Sequence, residues 1–239
     1  YIESGDTDKA IESLNTSSSN TDDVAVKENN TTKIITLKLQ KKDYKDIEKY
    51  IAELPTEDER AYYSAQYYAA KKDSKAIKEY EKLLQSEKYK AYASKGLGDY
   101  YFDNKDLSKA KKYYSTYVNI NKNPDEHILY RLGQANEKEN NLKMALTDYK
   151  AVYSKNGKLA NDAMLRAAEI YDKQENVAEA EKLFTKLYGV KNNKDLKSYS
   201  IEKLIYYKLV KNNTKEAKKL YDELKKLDAK RAEKFKAYF

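Results

Sequence analysis

The sequence predicts an all-α fold, a solenoid of antiparallel helix pairs, and three observations lead there. The first is a repeat. Seven segments place a small residue and then a large one four positions on, at Ala10/Leu14, Asp46/Tyr50, Ala76/Tyr80, Ala110/Tyr114, Ala145/Tyr149, Ala180/Phe184 and Ala217/Tyr221. The small positions are separated by 36, 30, 34, 35, 35 and 37 residues. On a helix, residues i and i+4 share a face, so a neighbouring helix can approach at the small residue and pack against the ring. The second observation is composition. With 6 Gly, 2 Pro and 36% charged residues among 239, the chain does not read as a turn-dense β-sandwich or a proline-rich fibre. Third, an apolar fraction of 40% is low for one large core, whereas 25 tyrosines suit elements that all lie near a surface. Tyrosine buries its ring while its hydroxyl stays wet or finds a partner.

A second helical pattern precedes most of these segments. Leu97, Gly98 and Tyr101 stand before Ala110, Leu132 and Gly133 before Ala145, Ala168 and Tyr171 before Ala180, and Ser64 and Tyr67 before Ala76. Leu-Gly and Tyr in one helix, Ala and an aromatic in the next, at a period near 34 residues, is similar to the tetratricopeptide repeat. The resemblance covers essentially the whole chain. It implies a right-handed superhelix of about six helix pairs, a noncatalytic scaffold of bacterial origin, and a concave groove lined by first helices that binds an extended or helical peptide.

The elements follow in order. Repeat one, GDTDKAIESL, keeps its second helix, and Tyr1 already fills the tyrosine position of its first, so the chain is expected to be a fragment of a longer protein. NTSSSNTDDVAVKENNTT carries no apolar stripe and reads as a polar linker or frayed helices, giving an expected first region of 1–30. Repeat two is degenerate, with Asp46 in the small position and Ile34, Ile35, Leu37 and Leu39 as its first-helix apolar residues. Regular repeats then extend the array over 31–227, although Lys208 stands where the last first helix should carry tyrosine. Asp228 reads as an N-cap for a closing stripe of Ala229, Ala232, Phe235 and Phe239, so 228–239 is expected to be a capping helix.

The sequence excludes much chemistry. No cysteine means no disulfide framework, zinc knuckle, iron–sulfur cluster or thiol nucleophile. His127 is the only imidazole and has no catalytic partners in sequence; it reads as a solvated or groove-lining side chain. Phosphate-loop, serine-elbow and metalloprotease motifs are missing, and Gly96 and Gly98 lie inside a helix pattern, where they fill small-residue positions. Carboxylates sit beside lysines, as Glu79 does with Lys75 and Lys82, which is the pattern of solvated helix ion pairs. The expectation is therefore no enzyme, no cofactor and no metal. No apolar run approaches the roughly 20 residues of a membrane span.

Charge is uneven: residues 1–60 carry net −5, 61–190 net +5 and 191–239 net +8. The basic end, through Lys211, Lys215, Lys218, Lys219, Lys225, Lys226, Lys230 and Lys234, reads as a solubilising surface with weak anionic-surface binding. Lysine outnumbers arginine 43 to 4, and nucleic-acid readers favour Arg forks, so no specific nucleic acid is expected.

Carrying the family's groove positions over gives Ala61, Ala65 and Tyr68; Tyr92, Lys95, Asp99 and Phe102; His127, Tyr130, Gln134 and Glu137; Asp162, Leu165, Glu169 and Asp172; and Tyr199, Glu202, Tyr206 and Leu209. The candidate binding set is Tyr68, Tyr92, Lys95, Asp99, Phe102, Tyr130, Gln134 and Glu169, because its aromatics fall outside the packing positions. Lys95 and Arg131 match part of the clamp some members use for chaperone C-termini, but Asp99 stands where that clamp has Asn and would repel a carboxylate. The chaperone-tail reading is rejected. Two alternatives to a general scaffold remain: a cell-envelope assembly module, with the periplasm favoured over the cytoplasm, and a regulatory array attached to an upstream catalytic domain.

Overall fold

The computed structural model describes residues 6–239, and the placement of Tyr1 lies outside them. Among the described residues the ordered elements are all helical. The chain divides at Asn123/Pro124 into two compact units. The first holds α1 (Thr7–Ser19), α2 (Val24–Lys41), α3 (Ile47–Ala52), α4 (Glu57–Ala70), α5 (Lys75–Lys82, continued by a 3-10 turn), α6 (Lys90–Asp103) and α7 (Leu107–Ile120). The second holds α8 (Glu126–Lys138), α9 (Leu142–Ser154), α10 (Ala160–Lys173), α11 (Val177–Tyr188), α12 (Lys194–Val210), α13 (Thr214–Leu227) and α14 (Ala229–Ala232), followed by a 3-10 segment Glu233–Tyr238. Within each unit the helices pack in consecutive antiparallel pairs: α4 with α5, α6 with α7, α8 with α9, α10 with α11 and α12 with α13.

One turn is used six times to reverse the chain inside a pair. A left-handed residue, Lys42, Lys72, Lys105, Asn140, Glu175 or Asn212, ends the first helix at φ 56 to 65°. The next amide then reaches back five residues, as Asp106 N–H does to the Tyr101 carbonyl at 2.9 Å and Asn141 N–H to the Asn136 carbonyl at 2.8 Å. This is the Schellman arrangement, which satisfies carbonyls the helix leaves open. The residue making that bond is always Asp or Asn. Asp106 caps α7 by accepting from Lys109 N–H at 3.2 Å, and Asn213 caps α13 by accepting from Glu216 N–H at 3.2 Å. The low glycine count thus coexists with left-handed turns, at roughly 1–2 kcal/mol of strain per non-glycine residue.

The small-and-large pairs form the core. Ala76, Ala110, Ala145, Ala180 and Ala217 are all fully buried, and Tyr80, Tyr114, Tyr149, Phe184 and Tyr221 are buried beside them. Gly98 shows why the first helix needs a small residue: a Cβ there would lie 2.4 Å from the Tyr114 ring, and one at Gly133 would lie 2.8 Å from Tyr149. Tyrosine is the favoured ring because its hydroxyl emerges on the first-helix side. Tyr114 donates to Asp99 at 2.8 Å and Tyr149 to Glu137 at 2.8 Å. A hydrogen bond to a charged acceptor contributes about 1.5–3 kcal/mol.

Repeat two corrects one expectation. Asp46 is exposed and left-handed at φ 57°, so it precedes α3 instead of packing inside it. The buried pair moves one position on, to Ile47 and Ile51, which join Ile35, Leu54 and Tyr67 in a local core. Residues 15–32 are helical except for the turn at 20–23. Asp23 caps α2 through Ala25 N–H at 2.9 Å, and buried Asn30 donates to the Ser17 and Ser18 hydroxyls at 3.1 Å each. Polar contacts do there what an apolar stripe does elsewhere. In the last pair, buried Tyr207 takes the aromatic role while its neighbour Lys208 bridges Glu181 at 3.0 Å and Glu216 at 2.8 Å. Asp228 caps the closing segment by accepting from Arg231 N–H at 3.0 Å, and Ala232 and Phe235 bury against Ile201, Ile205 and Tyr221.

Helix α10 starts without a cap of its own, since Leu159 precedes it. Glu126, from the first turn of α8, instead ties down the turn before it by accepting from Lys158 N–H at 3.1 Å. Gly157 makes room, because a Cβ there would stand 1.8 Å from Glu126 Oε2. Gly157→Ala should therefore push the Glu126 carboxylate aside and forfeit that hydrogen bond, at about 0.5–1.5 kcal/mol. In a double-mutant cycle followed by urea melts, Glu126→Ala should cost less in the Gly157→Ala background than alone; additive costs would show that the two do not share this contact.

Candidate interaction surface

The first helices, α4 and α6 in one unit and α8, α10 and α12 in the other, carry the candidate residues. In the first unit Tyr68 is half-buried, its ring 5.1 Å from Tyr67, with its hydroxyl 3.4 Å from Glu48 and the Lys75 ammonium 5.4 Å from the ring centroid. Tyr92 lies 4.3 Å from Tyr62 and 5.9 Å from Tyr80, and burial pushes its phenol well above the usual range. Phe102 leans on Tyr114 at 6.2 Å, Asp99 accepts from the same tyrosine, and Lys95 is half-buried one turn before Asp99. A recess opens among Lys72, Asp73, Tyr80, Asp99, Tyr100 and Asp103.

In the second unit Tyr130 rests 5.6 Å from Tyr149, and Gln134 is half-buried one turn on. Glu169 accepts from Arg166 at 2.9 Å and from the Tyr199 hydroxyl at 3.3 Å. The same guanidinium holds Glu137 in two bonds, at 2.5 and 3.2 Å, so Arg166 ties α8 to α10. The next step repeats the device. Lys203 of α12 pairs with Asp172 of α10 at 2.6 Å, and Glu202 takes Arg231 at 2.7 Å and Lys234 at 2.5 Å. Burial raises the Glu202 carboxyl, but the hydrogen bonds from Lys234 and Arg231 outweigh it and hold the group below the usual carboxylate range.

The candidate set is thus split between the two units. Its rings share a construction: Tyr92, Phe102 and Tyr130 each lie half-buried over a packing ring of a second helix, and Tyr199 repeats this over Phe184 at 5.8 Å. Ala61 and Ala65, expected to line the groove, are instead buried at 4% and 0%, in a core with Ala76, Tyr80, Leu83, Ala93 and Leu97. Their small side chains let the neighbouring helices close over them. His127 is exposed, its backbone N–H on the Asp125 carboxylate at 2.8 Å.

Tyr206 and Val210 are the most exposed large apolar side chains of α4, α6, α8, α10 and α12, at 55% and 56% exposure. They are one turn apart on α12, above a recess lined by Asp172, Val177, Glu202, Lys203, Tyr207 and Phe235. Sequence reasoning reached Tyr206 but missed Val210 and Phe235. The i, i+4 spacing of 206 and 210 was the available signal. Among the described residues no cluster of three or more potential metal ligands occurs, and no helix is long and apolar enough to cross a membrane.

Two family models, both described as tetratricopeptide repeat, match residues 96–124 and 130–195. The fold is similar to the C-terminal part of a TPR repeat-containing protein from Cytophaga hutchinsonii, at 18% identity and TM-score 0.72 over 96% of this chain and 94% of that one. It is also similar to Pseudomonas aeruginosa pilF (14% identity, TM-score 0.54, 98% and 99% of the two chains) and to MamA protein (20% identity, TM-score 0.55, 72% and 92%). No curated protein matches the sequence significantly. Repeats of this kind serve in general as noncatalytic scaffolds for protein interaction. Residues 96–124 and 130–195 are thus tetratricopeptide repeats, and the paired helices with their buried alanine and aromatic positions carry the same pattern into the rest of the described residues.

Proposed function

We propose that this scaffold binds a peptide or protein segment along its first-helix faces. The carrying observation is the exposed Tyr206 and Val210 pair on α12, an apolar contact set beside a recess whose rim charges are fixed by ion pairs. Exposed aromatics are the residue type that anchors protein contacts, and polar groups already held in place can orient a segment laid beside them. In the second unit, Tyr130, Gln134 and Glu169 extend the surface along α8 and α10. In the first, Tyr68, Tyr92, Lys95, Asp99 and Phe102 form its counterpart. Immobilised rings are good anchors because little side-chain entropy remains to be lost on binding.

The test uses peptides selected from a displayed random library against the immobilised chain. Tyr206→Ser combined with Val210→Ser should weaken the selected peptides at least about tenfold while helix content is unchanged, as expected when a central anchor is lost. Unchanged affinity, or no peptide enriched over a blank surface, would contradict the proposal.

A further inference from the structure

The basic end of the second unit is not balanced by its own carboxylates. Residues 214–239 contain five acidic side chains, and every one already has a cation. Glu216 holds Lys208 at 2.8 Å, Asp222 holds Lys218 at 3.0 Å, Glu223 holds Lys197 at 2.8 Å, Asp228 holds Arg231 at 3.2 Å and Glu233 holds Lys236 at 3.0 Å. Lys234 is taken by Glu202 at 2.5 Å. Lys215, Lys219, Lys225, Lys226 and Lys230 are exposed and belong to no ion pair of the described residues. The buried side of α13 is Ala217, Tyr221 and Leu224. Helical spacing therefore puts Lys215, Lys219 and Lys226 on one outward ridge, with Lys225 on the ridge beside it.

Aromatic surface accompanies this charge. Tyr238 is 65% exposed and Phe239 36%. The Phe239 ring sits 4.9 Å from Tyr221, and the Lys218 ammonium lies 4.8 Å from the Tyr221 centroid and 5.5 Å from that of Phe239. Terminal aromatics therefore border the lysine-bearing helix. Lysines with long apolar stems next to exposed aromatic rings suit the headgroup region of a bilayer, where ammonium groups stay with the phosphates and rings enter the interface.

We propose that this face, α13 with the segment after it, docks on an anionic membrane surface, an interaction separate from peptide binding on the first helices. The arginines favour lipid over nucleic acid as the occupant. Arg231 is spent on Glu202 and Asp228, Arg166 on Glu137 and Glu169, and Arg60 on the Leu54 and Pro55 carbonyls. None of these three forks is free for bidentate contact with a phosphate or a base, and Arg131 also has a partner. Free lysines act instead as point charges drawn to a diffuse negative layer, each strengthening attachment about fivefold near an anionic leaflet.

The experiment is co-sedimentation of the chain with phosphatidylcholine vesicles containing either no anionic lipid or about 30% phosphatidylglycerol, at about 0.1 M salt, where surface charges still act within a Debye length of about 10 Å. Retention is expected on the anionic vesicles alone. Lys215→Gln, Lys219→Gln and Lys226→Gln together should weaken it about 100-fold, and Tyr238→Ser with Phe239→Ser should weaken it independently. Lys225→Gln with Lys230→Gln gives a second charge variant should the triple variant lose helix content. Three outcomes would overturn the proposal: no retention on anionic vesicles, retention unaffected by the charge variants, or duplex DNA of mixed sequence binding at least as tightly through the same lysines.

Discussion

Phe184→Ala is expected to lower the unfolding free energy by about 3–5 kcal/mol, the range for truncating a buried aromatic. Phe184 is fully buried, and its ring is set 5.8 Å from Tyr199 and 6.2 Å from Tyr207, so it locks α11 against α12. Its partner Ala180 is itself fully buried and offers no side chain that could fold into the space. A cavity therefore remains, and both the lost transfer free energy and the lost contacts count. Because each repeat touches only its neighbours, the damage should stay in the second unit. Urea unfolding followed by circular dichroism gives the magnitude, and hydrogen exchange its location: amides of α6 and α7 should keep their protection while those of α11 and α12 lose it. A cost below about 1 kcal/mol would mean that this position is not the packing centre the repeat makes it.

Asp148→Asn is expected to have the opposite sign. Asp148 lies on α9 at 8% exposure and accepts a hydrogen bond from Asn136 at 2.8 Å. Burial pushes its carboxyl from 3.8 up to about 6, although the Asn136 bond works the other way. A folded-state value above the unfolded one means that the folded chain binds the proton more tightly. The corresponding stability is fully present below about pH 4 and is lost as pH rises through about 6, a shift worth about 3 kcal/mol. Asparagine keeps the shape and removes the charge. The variant should gain about 1–3 kcal/mol at pH 7, little at pH 4, and should lose the decline between them. Urea midpoints across pH 4–8 check this; a destabilised variant at pH 7 would show that the carboxylate is held by favourable contacts instead.

The repeat was legible because it combines two independent periods. Helical spacing fixes the pair, as in Ala110 and Tyr114, and a separation near 35 residues returns it along the chain. A single such pair would mean little. Asp46 shows what that reading misses. It occupies the right place in the string, but its left-handed backbone belongs to a turn, and the burial passes to Ile47 and Ile51. The helices over residues 15–32 were hard to see because Asn30, Ser17 and Ser18 hold them through hydrogen bonds, which leave no hydrophobic period.

The surface was less legible than the fold. That Tyr92 shares its faces with Tyr62 and Tyr80 depends on the distance between helices, which no local pattern encodes. The role of Glu169 changes for a similar reason: Tyr199, on the next first helix, converges on it together with Arg166 of its own helix. Val210 was missed because the family's groove positions end one residue earlier, at Leu209. Asp148 drew no notice because it sits beside the packing residue Tyr149, and only burial distinguishes it from the many carboxylates around it.

The reading of the first helices as the binding faces is tested most directly by where a bound peptide perturbs the chain. With a library-selected peptide added to isotope-labelled protein, chemical-shift changes in nuclear magnetic resonance should concentrate on first-helix residues, Tyr206 and Val210 foremost, then Tyr130 and Gln134 or Tyr92 and Phe102. The second-helix surface at Lys78, Lys112, Lys182 and Lys219 should be unchanged. Shifts gathered on those lysines, with Tyr206 and Val210 silent, would contradict it.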